Sequence, residues 1–247
     1  MSGHSKWSSI KHKKARTDAV RGKIFTKLIR EITVSAREGG GDMEANPRLR
    51  LAVQSAKDQN MPNDNIQRAI KKGTGELEGV RFEEFTYEGY GPAGVALLID
   101  VVTDNKNRTT AEVRHALTKH NGNLGESGCV AWNFETLGII RVSKDQCDEE
   151  TLLEAALEAG ADDVKEEDGV FEVYCEPTSL AVVSEALTGG NIPFDSAAIE
   201  KVPKTLVKVE SSDAKKVLKV LEMLEDLDDV QRVSANFDIP DEMFQQE

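Results

Sequence analysis

The sequence predicts an α+β protein: an N-terminal three-helix bundle followed by two ferredoxin-like α/β domains, one inserted into the other. Three observations lead there. Up to about residue 73 the apolar residues recur only with helical spacing, and strand patterns enter after it. From Gly138 the predicted order is strand, helix, strand, strand, helix, strand, a βαββαβ unit complete by itself. The tail after Pro203 cannot form a domain by itself, and it completes the earlier strand–strand–helix–strand piece as a second mixed sheet. The predicted boundaries are 1–76 for a basic arm and bundle, 77–136 with 204–240 for a discontinuous α+β domain, and 137–203 for the insert.

Each element has its own signal. Residues 1–16 show little periodicity and read as a basic arm with Trp7 as its large aromatic. The arm either orders on nucleic acid, with Trp7 stacking on a base, or trails with Trp7 packed on the first helix. From about Thr17 to Glu38, Val20, Ile24, Leu28 and Ile32 recur at i+4, with Phe25, Ile29 and Ala36 beside them. At about 100° per residue, Lys23, Lys27, Arg30 and Arg37 share the opposite side, and Arg21 falls on the apolar side. Gly39-Gly40-Gly41 stops this helix. Asn46 caps a second, with Pro47 at its first position and a stripe of Leu49, Ala52, Val53 and Ala56. A third runs from near Asn63 to Gly73, with Ile66, Ala69 and Ile70 inward and Arg68, Lys71 and Lys72 outward. Single-striped helices of this length need one another, hence a bundle.

Strands are expected at Phe82–Tyr90, Val95–Val102 and Val130–Phe134, with a helix between Asn105 and Asn121. In the insert, strands at Ile139–Val142, near Val164, at Val170–Cys175 and at Asp195–Val202 alternate with helices at Glu149–Ala159 and Ser179–Leu187. After Pro203 come a strand at Leu206–Val209, a helix at 212–226 and one strand from Val230 to Phe237.

Charge divides the chain. Residues 1–75 hold 16 of the 31 Lys+Arg and 7 of the 44 Asp+Glu, a net +9, which leaves −22 for the remainder of a chain at −13. One part is built for a polyanion and the body repels it, and phosphate backbone is the obvious polyanion. The N-terminus has no apolar run of the secretory kind, and no stretch approaches a membrane span. Three cysteines, Cys129, Cys147 and Cys175, without CxxC spacing suit reduced thiols in a cytoplasm.

Chemistry-bearing motifs are weak. Gly89–Gly94 matches GxGxxG by letters, but Pro92 and an apolar strand follow instead of a helix N-terminus, so it reads as a hairpin turn. Gly125-Glu126-Ser127-Gly128 lacks the last glycine of a nucleophile elbow, because Cys129 stands there. The four histidines have no ligand spacing, so no metal and no cofactor is expected. His120 reads as a core or helix-end residue. Glu83-Glu84, Asp162-Asp163 and Asp228-Asp229 read as solvated surface acids rather than acid–base pairs.

Eight stretches carry a family resemblance: GHSKW at Gly3–Trp7, RGKIFTKLIREI at Arg21–Ile32, NPRLR at Asn46–Arg50, NIQRAIKKG at Asn65–Gly73, YEGYGP at Tyr87–Pro92, NRTTAEVRHA at Asn107–Ala116, GNLGESG at Gly122–Gly128 and LEAGADDV at Leu157–Val164. On these the chain resembles the YebC/PmpR family, which includes a mitochondrial translational activator. The resemblance implies a three-helix N-terminal domain, two α/β domains, and a cytoplasmic, non-catalytic regulator that binds nucleic acid. Bacterial members are usually described as transcriptional regulators. Members are also implicated in translation, relieving ribosomes stalled on proline-rich stretches.

The expectation is therefore a non-enzymatic nucleic-acid-binding regulator of gene expression, first as a DNA-binding transcriptional regulator. The alternative is a translation factor on the ribosome, bound to ribosomal or transfer RNA. Lys6, Lys11, Lys13, Lys14, Arg16, Arg21, Lys23, Lys27 and Arg30 are expected on phosphates and Trp7 on a base, with Arg68, Lys71 and Lys72 extending the patch. Asn65, Gln67 and Arg68 are placed to read base edges if the target is duplex DNA.

Overall fold

A computed structural model describes residues 18–239 apart from Asp168. The chain divides into two compact units: residues 134–204, and the residues on either side of them. The larger unit begins with α1 (Asp18–Gly39), α2 (Pro47–Asp58) and α3 (Asn63–Thr74). Their shared core is Ile32, Ala36, Leu49, Ala52, Val53, Ala56, Met61, Ile66, Ala69 and Ile70. The α1–α2 corner is held by one buried side chain. Asn46 accepts from the Leu49 N–H at 3.0 Å and donates to the carbonyls of Ser35 and Gly40, both at 2.8 Å. It caps α2 and ties down the end of α1 together.

Gly73 does not end α3, contrary to the expectation from sequence. The helix runs on to Thr74 and closes at Gly75, whose φ is +83°. Gly73 is required by packing: a Cβ there would lie 2.4 Å from the Thr33 carbonyl oxygen and 2.7 Å from the Ala36 Cβ of α1. Only a glycine lets the two helices approach so closely.

The same unit continues with an antiparallel hairpin, β1 (Glu83–Tyr90) and β2 (Ala96–Thr103), in register from Glu83 opposite Thr103 to Tyr90 opposite Ala96. The turn between them is a short 3-10 segment with Ala93 and Gly94 at positive φ. It carries no phosphate-binding helix N-terminus. Helix α4 (Lys106–Thr118), capped by Asn105, and the two-residue β3 (Asn123–Leu124) follow. The chain leaves at Asn133 and returns at Thr205. It then forms β8 (Val207–Lys208), α7 (Ser211–Glu225), β9 (Val230–Ala235) and β10 (Phe237–Asp238). The sheet order is β3-β1-β2-β9, so the returning chain supplies an edge strand to a hairpin more than a hundred residues earlier. Leu97, Ile99, Val101, Val113, Leu117, Val217, Leu221, Leu224, Val233 and Phe237 fill its core.

Two strand expectations need correction. Residues 130–133 are a turn with a 3-10 segment, Ala131–Asn133, and extended structure begins only at Phe134. The expected strand Val230–Phe237 breaks at Asn236. Its side chain accepts from the Ala96 N–H at 2.7 Å and donates to the Thr205 carbonyl at 3.1 Å. The chain thereby leaves β2 and pairs β10 in parallel with β8.

The inserted unit has β4 (Phe134–Ser143), α5 (Glu149–Glu158), β5 (Asp163–Glu167), β6 (Val170–Cys175), α6 (Leu180–Gly189) and β7 (Ser196–Pro203). All its strand pairs are antiparallel, in the order β5-β6-β4-β7, which is the ferredoxin-like plan. Leu152, Ala156, Leu180, Val183 and Leu187 of the two helices are fully buried. The insert also holds an ion triad that the sequence did not announce. Buried Arg141 donates to Glu172 at 2.9 Å and, as a fork, to Glu200 at 2.7 and 3.0 Å.

Candidate nucleic-acid interface

The basic side of α1 is not an open surface. The structure brings Lys23, Lys27 and Arg30 together, but onto the corner between α7 and β9 of the same unit. Lys23 pairs with Asp226 at 2.9 Å. Lys27 donates to the Glu225 carbonyl at 2.7 Å. Arg30 donates to the carbonyls of Asp228 and Val102, pairs with the Asp229 carboxylate at 2.8 Å, and lies over the Phe82 ring at 5.5 Å. Arg37, further along the same face, donates to the Phe82 carbonyl. Residues Ile32–Ala36 are all buried. From Ile24 to Ala36 α1 is therefore partly or fully buried, with Lys23 and Arg37 still exposed at its two ends, and its polar side serves as a seam between bundle and sheet.

Asp229 is the centre of that seam. Its carboxylate takes Arg30 from the bundle, the Thr103 hydroxyl at 2.9 Å from the end of β2, and Arg108 at 2.7 Å and the Thr109 hydroxyl at 2.5 Å from α4. Burial pushes its pKa up. The hydrogen bonds from Arg108, Thr109 and Thr103 and the Arg30 charge outweigh that and hold it below the usual carboxylate range. A second clamp lies nearby in the chain: Arg48 of α2 reaches Glu31 and Glu38 of α1 and forks onto Glu84 of β1. Of the three carboxylate pairs noted in the sequence, two are thereby engaged in holding bundle to sheet.

The remaining predicted residues divide in two. Lys6, Trp7, Lys11, Lys13, Lys14 and Arg16 lie outside the described residues, and Arg21 is placed in the first turn of α1. Arg68, Lys71 and Lys72 are exposed on α3, and among the described residues no carboxylate is paired with them. With Asp64, Gln67 and Leu77, Arg68 and Lys71 line a shallow groove along the helix. Asp64, Gln67, Arg68 and Lys71 are spaced 0, 3, 4 and 7, one face of a helix. Gln67 and Arg68 are exposed on that face, while Asn65 is half-buried.

Three residues whose surroundings are distinctive escaped the sequence reading. Asp229 sat in a run of acids. Glu88 of β1 is buried, and its carboxylate accepts the N–H groups of Gly128, Val130 and Ala131 at 2.6, 2.8 and 2.8 Å. It joins the YEGYGP and GNLGESG stretches into one braced loop. That loop presents Trp132, 70% exposed, with its ring N–H donated to the Cys129 carbonyl at 3.0 Å. The Tyr90 hydroxyl donates to the same carbonyl at 3.2 Å. The one available signal was an isolated tryptophan beside a glycine-rich run.

Burial pushes the thiols of Cys129, Cys147 and Cys175 upward, with neighbouring acids adding to it, so they stay protonated. Among the described residues no cluster of His, Cys, Asp and Glu is arranged to hold a metal ion, and no helix is long and apolar enough to cross a membrane.

Comparison with known proteins covers nearly the whole chain. Residues 5–76 match the family model described as the TACO1/YebC protein N-terminal domain, and residues 82–237 match the TACO1/YebC second and third domain. A relative from Geobacter sulfurreducens is 58% identical over 242 residues, 98% of each chain. One from Halothermothrix orenii is 57% identical over an alignment of 249 positions, 100% of this chain and 98% of that one. Both are named probable transcriptional regulatory proteins. The crystal structure of a conserved hypothetical protein from Aquifex aeolicus is similar at a TM-score of 0.86 and 53% identity, covering 94% of this chain and 96% of that one.

Proposed function

The chain belongs to the TACO1/YebC family, and from that premise we propose that it is a non-catalytic regulator of gene expression that binds nucleic acid through its N-terminal domain. The regulatory part agrees with the names of its relatives. The nucleic-acid part rests on one observation: the cations of α3 stand exposed and, among the described residues, without a carboxylate partner, while those of α1 are engaged within the chain. Cations left without carboxylates on a chain of net charge −13 are held in reserve for an external anion. The contact surface is then Arg68, Lys71 and Lys72 together with the arm that carries Lys6, Trp7, Lys11, Lys13, Lys14 and Arg16. Lysines position phosphates, and Gln67 and Arg68 are the groups able to read bases. The first reading is DNA binding at promoters.

Trp132 favours a second reading. An exposed indole on a braced loop suits stacking on an unpaired base, which duplex DNA does not offer and folded RNA does. In that reading the protein works on ribosomal or transfer RNA during translation. Ultraviolet crosslinking in cells, with sequencing of both bound RNA and bound DNA, separates the two. Crosslinks at promoter DNA support the transcriptional role; crosslinks at a few positions of ribosomal or transfer RNA replace it with the translational one. Absence of any enriched nucleic acid contradicts both.

A further inference from the structure

The helix layer of the inserted unit combines exposed apolar side chains with acids. Helix α5 packs against α6 and buries Leu152 and Ala156, and α6 buries Leu180, Val183 and Leu187. These residues satisfy the core. Three large apolar side chains are nevertheless left outside: Leu153 at 38%, Leu157 at 48% and Val182 at 59% exposure. Leu153 and Leu157 are four apart and form a stripe along the outer side of α5.

The charge that the two helices carry is of one sign. Helix α5 carries Glu149, Glu150, Glu154 and Glu158, all exposed, and α6 carries Glu185. No Lys or Arg occurs between Lys144 and Lys165, or between Lys165 and Lys201. A helix whose outer side faces only water normally mixes both signs, because like charges at i,i+4 repel. Here Glu150, Glu154 and Glu158 repeat at that spacing with no cation on the helix to relieve them.

The sign of the charge selects the occupant. Nucleic acid and anionic lipid are repelled. A second copy meeting this face with its own would set glutamates against glutamates, which disfavours a symmetric dimer. A cationic chain with apolar contacts is attracted on both counts. We propose that the α5–α6 face is a docking surface for a Lys/Arg-rich amphipathic segment of another protein, with Leu153, Leu157 and Val182 as apolar contacts and Glu149, Glu150, Glu154 and Glu158 as charge partners. This stands apart from the nucleic-acid reading, since it uses neither α3 nor the arm. The two together describe a protein that contacts a polyanion at one domain and a polycation-bearing partner at another.

The test uses the full chain, isotope-labelled, titrated by nuclear magnetic resonance with a synthetic 15-residue peptide of Leu and Lys whose leucines follow the i, i+3, i+4, i+7 pattern. Saturable amide shifts confined to α5 and α6 are expected. They weaken at least tenfold in the Leu153→Ser/Leu157→Ser variant and in the Glu150→Lys/Glu154→Lys variant, while both variants keep the wild-type unfolding temperature and the wild-type affinity for a duplex oligonucleotide. A scrambled peptide of the same composition, which cannot align its leucines, is expected to bind at least tenfold more weakly. Equal binding of the scrambled peptide, shifts scattered over the acidic body, or no saturable binding overturns the proposal. So does concentration-dependent dimerisation through Leu157 in place of peptide binding.

Discussion

Arg30 of α1 and Asp229, just before β9, lie 2.8 Å apart in the larger unit, their side chains only 14% and 3% exposed. They come from opposite ends of the chain, and the pair fastens the helical bundle to the sheet. Asp229 also accepts from Arg108, Thr109 and Thr103, so one carboxylate orders the end of β2, the start of α4 and the bundle.

Replacing Asp229 by Asn strands two arginines, and removing one partner of a buried pair costs about 3–5 kcal/mol. Arg108 is partly exposed, so the lower end applies: about 3 kcal/mol by urea unfolding at pH 7. The pH dependence follows from the lowered pKa of Asp229. Its stabilisation is complete above the unfolded-state value of about 3.9 and is lost as the pH falls through the lower folded-state value. The gap between wild type and Asp229→Asn should therefore narrow steadily below about pH 4. A gap of constant size down to pH 3 would remove Asp229 from this role.

Gly73→Ala tests the α1–α3 contact against local propensity. Alanine is the better helix former by about 1 kcal/mol, so an open site would be stabilised. Here the new Cβ meets the Thr33 carbonyl. Overpacking of this kind costs about 1–3 kcal/mol, and a net loss is expected in thermal unfolding. A raised unfolding temperature would show that the helices separate without cost.

The two basic faces should behave differently. Arg68→Glu/Lys71→Glu/Lys72→Glu should weaken nucleic-acid binding and flatten its dependence on salt, by about 0.9 in the log–log slope for each duplex phosphate that the variant no longer neutralises. Lys23→Ala removes an exposed pair worth at most about 1 kcal/mol and should leave affinity within twofold. Both are read by fluorescence anisotropy across a salt series. Equal weakening in the two variants would mean that the α1 seam opens when nucleic acid binds.

Trp132→Phe leaves Trp7 as the single tryptophan of a chain that has two. If the arm stacks on bases, emission from this variant should be quenched on adding a single-stranded oligonucleotide, with saturation at the same concentration as anisotropy. Unquenched emission at saturation would take Trp7 out of the interface.

The sequence by itself determined the architecture. Helical spacing, Asn46 and Pro47 at a helix start, and the strand–helix order after Gly138 are local signals, readable over a few turns of chain. It also showed that the first 75 residues are cationic and the rest anionic. The tertiary structure decided which of those cations are available. Lys23, Lys27, Arg30, Arg68, Lys71 and Lys72 look alike in sequence, because each is a cation on the outer side of an amphipathic helix. What separates them is the acidic corner at residues 225–229, about two hundred residues further along the chain, brought against α1 by β9 pairing with β2. The same holds for Glu88, whose partners are backbone N–H groups some forty residues away. A charge's chemistry depends on what lies within a few ångströms of it, and at that range the neighbours are set by strand pairing and burial rather than by position along the chain.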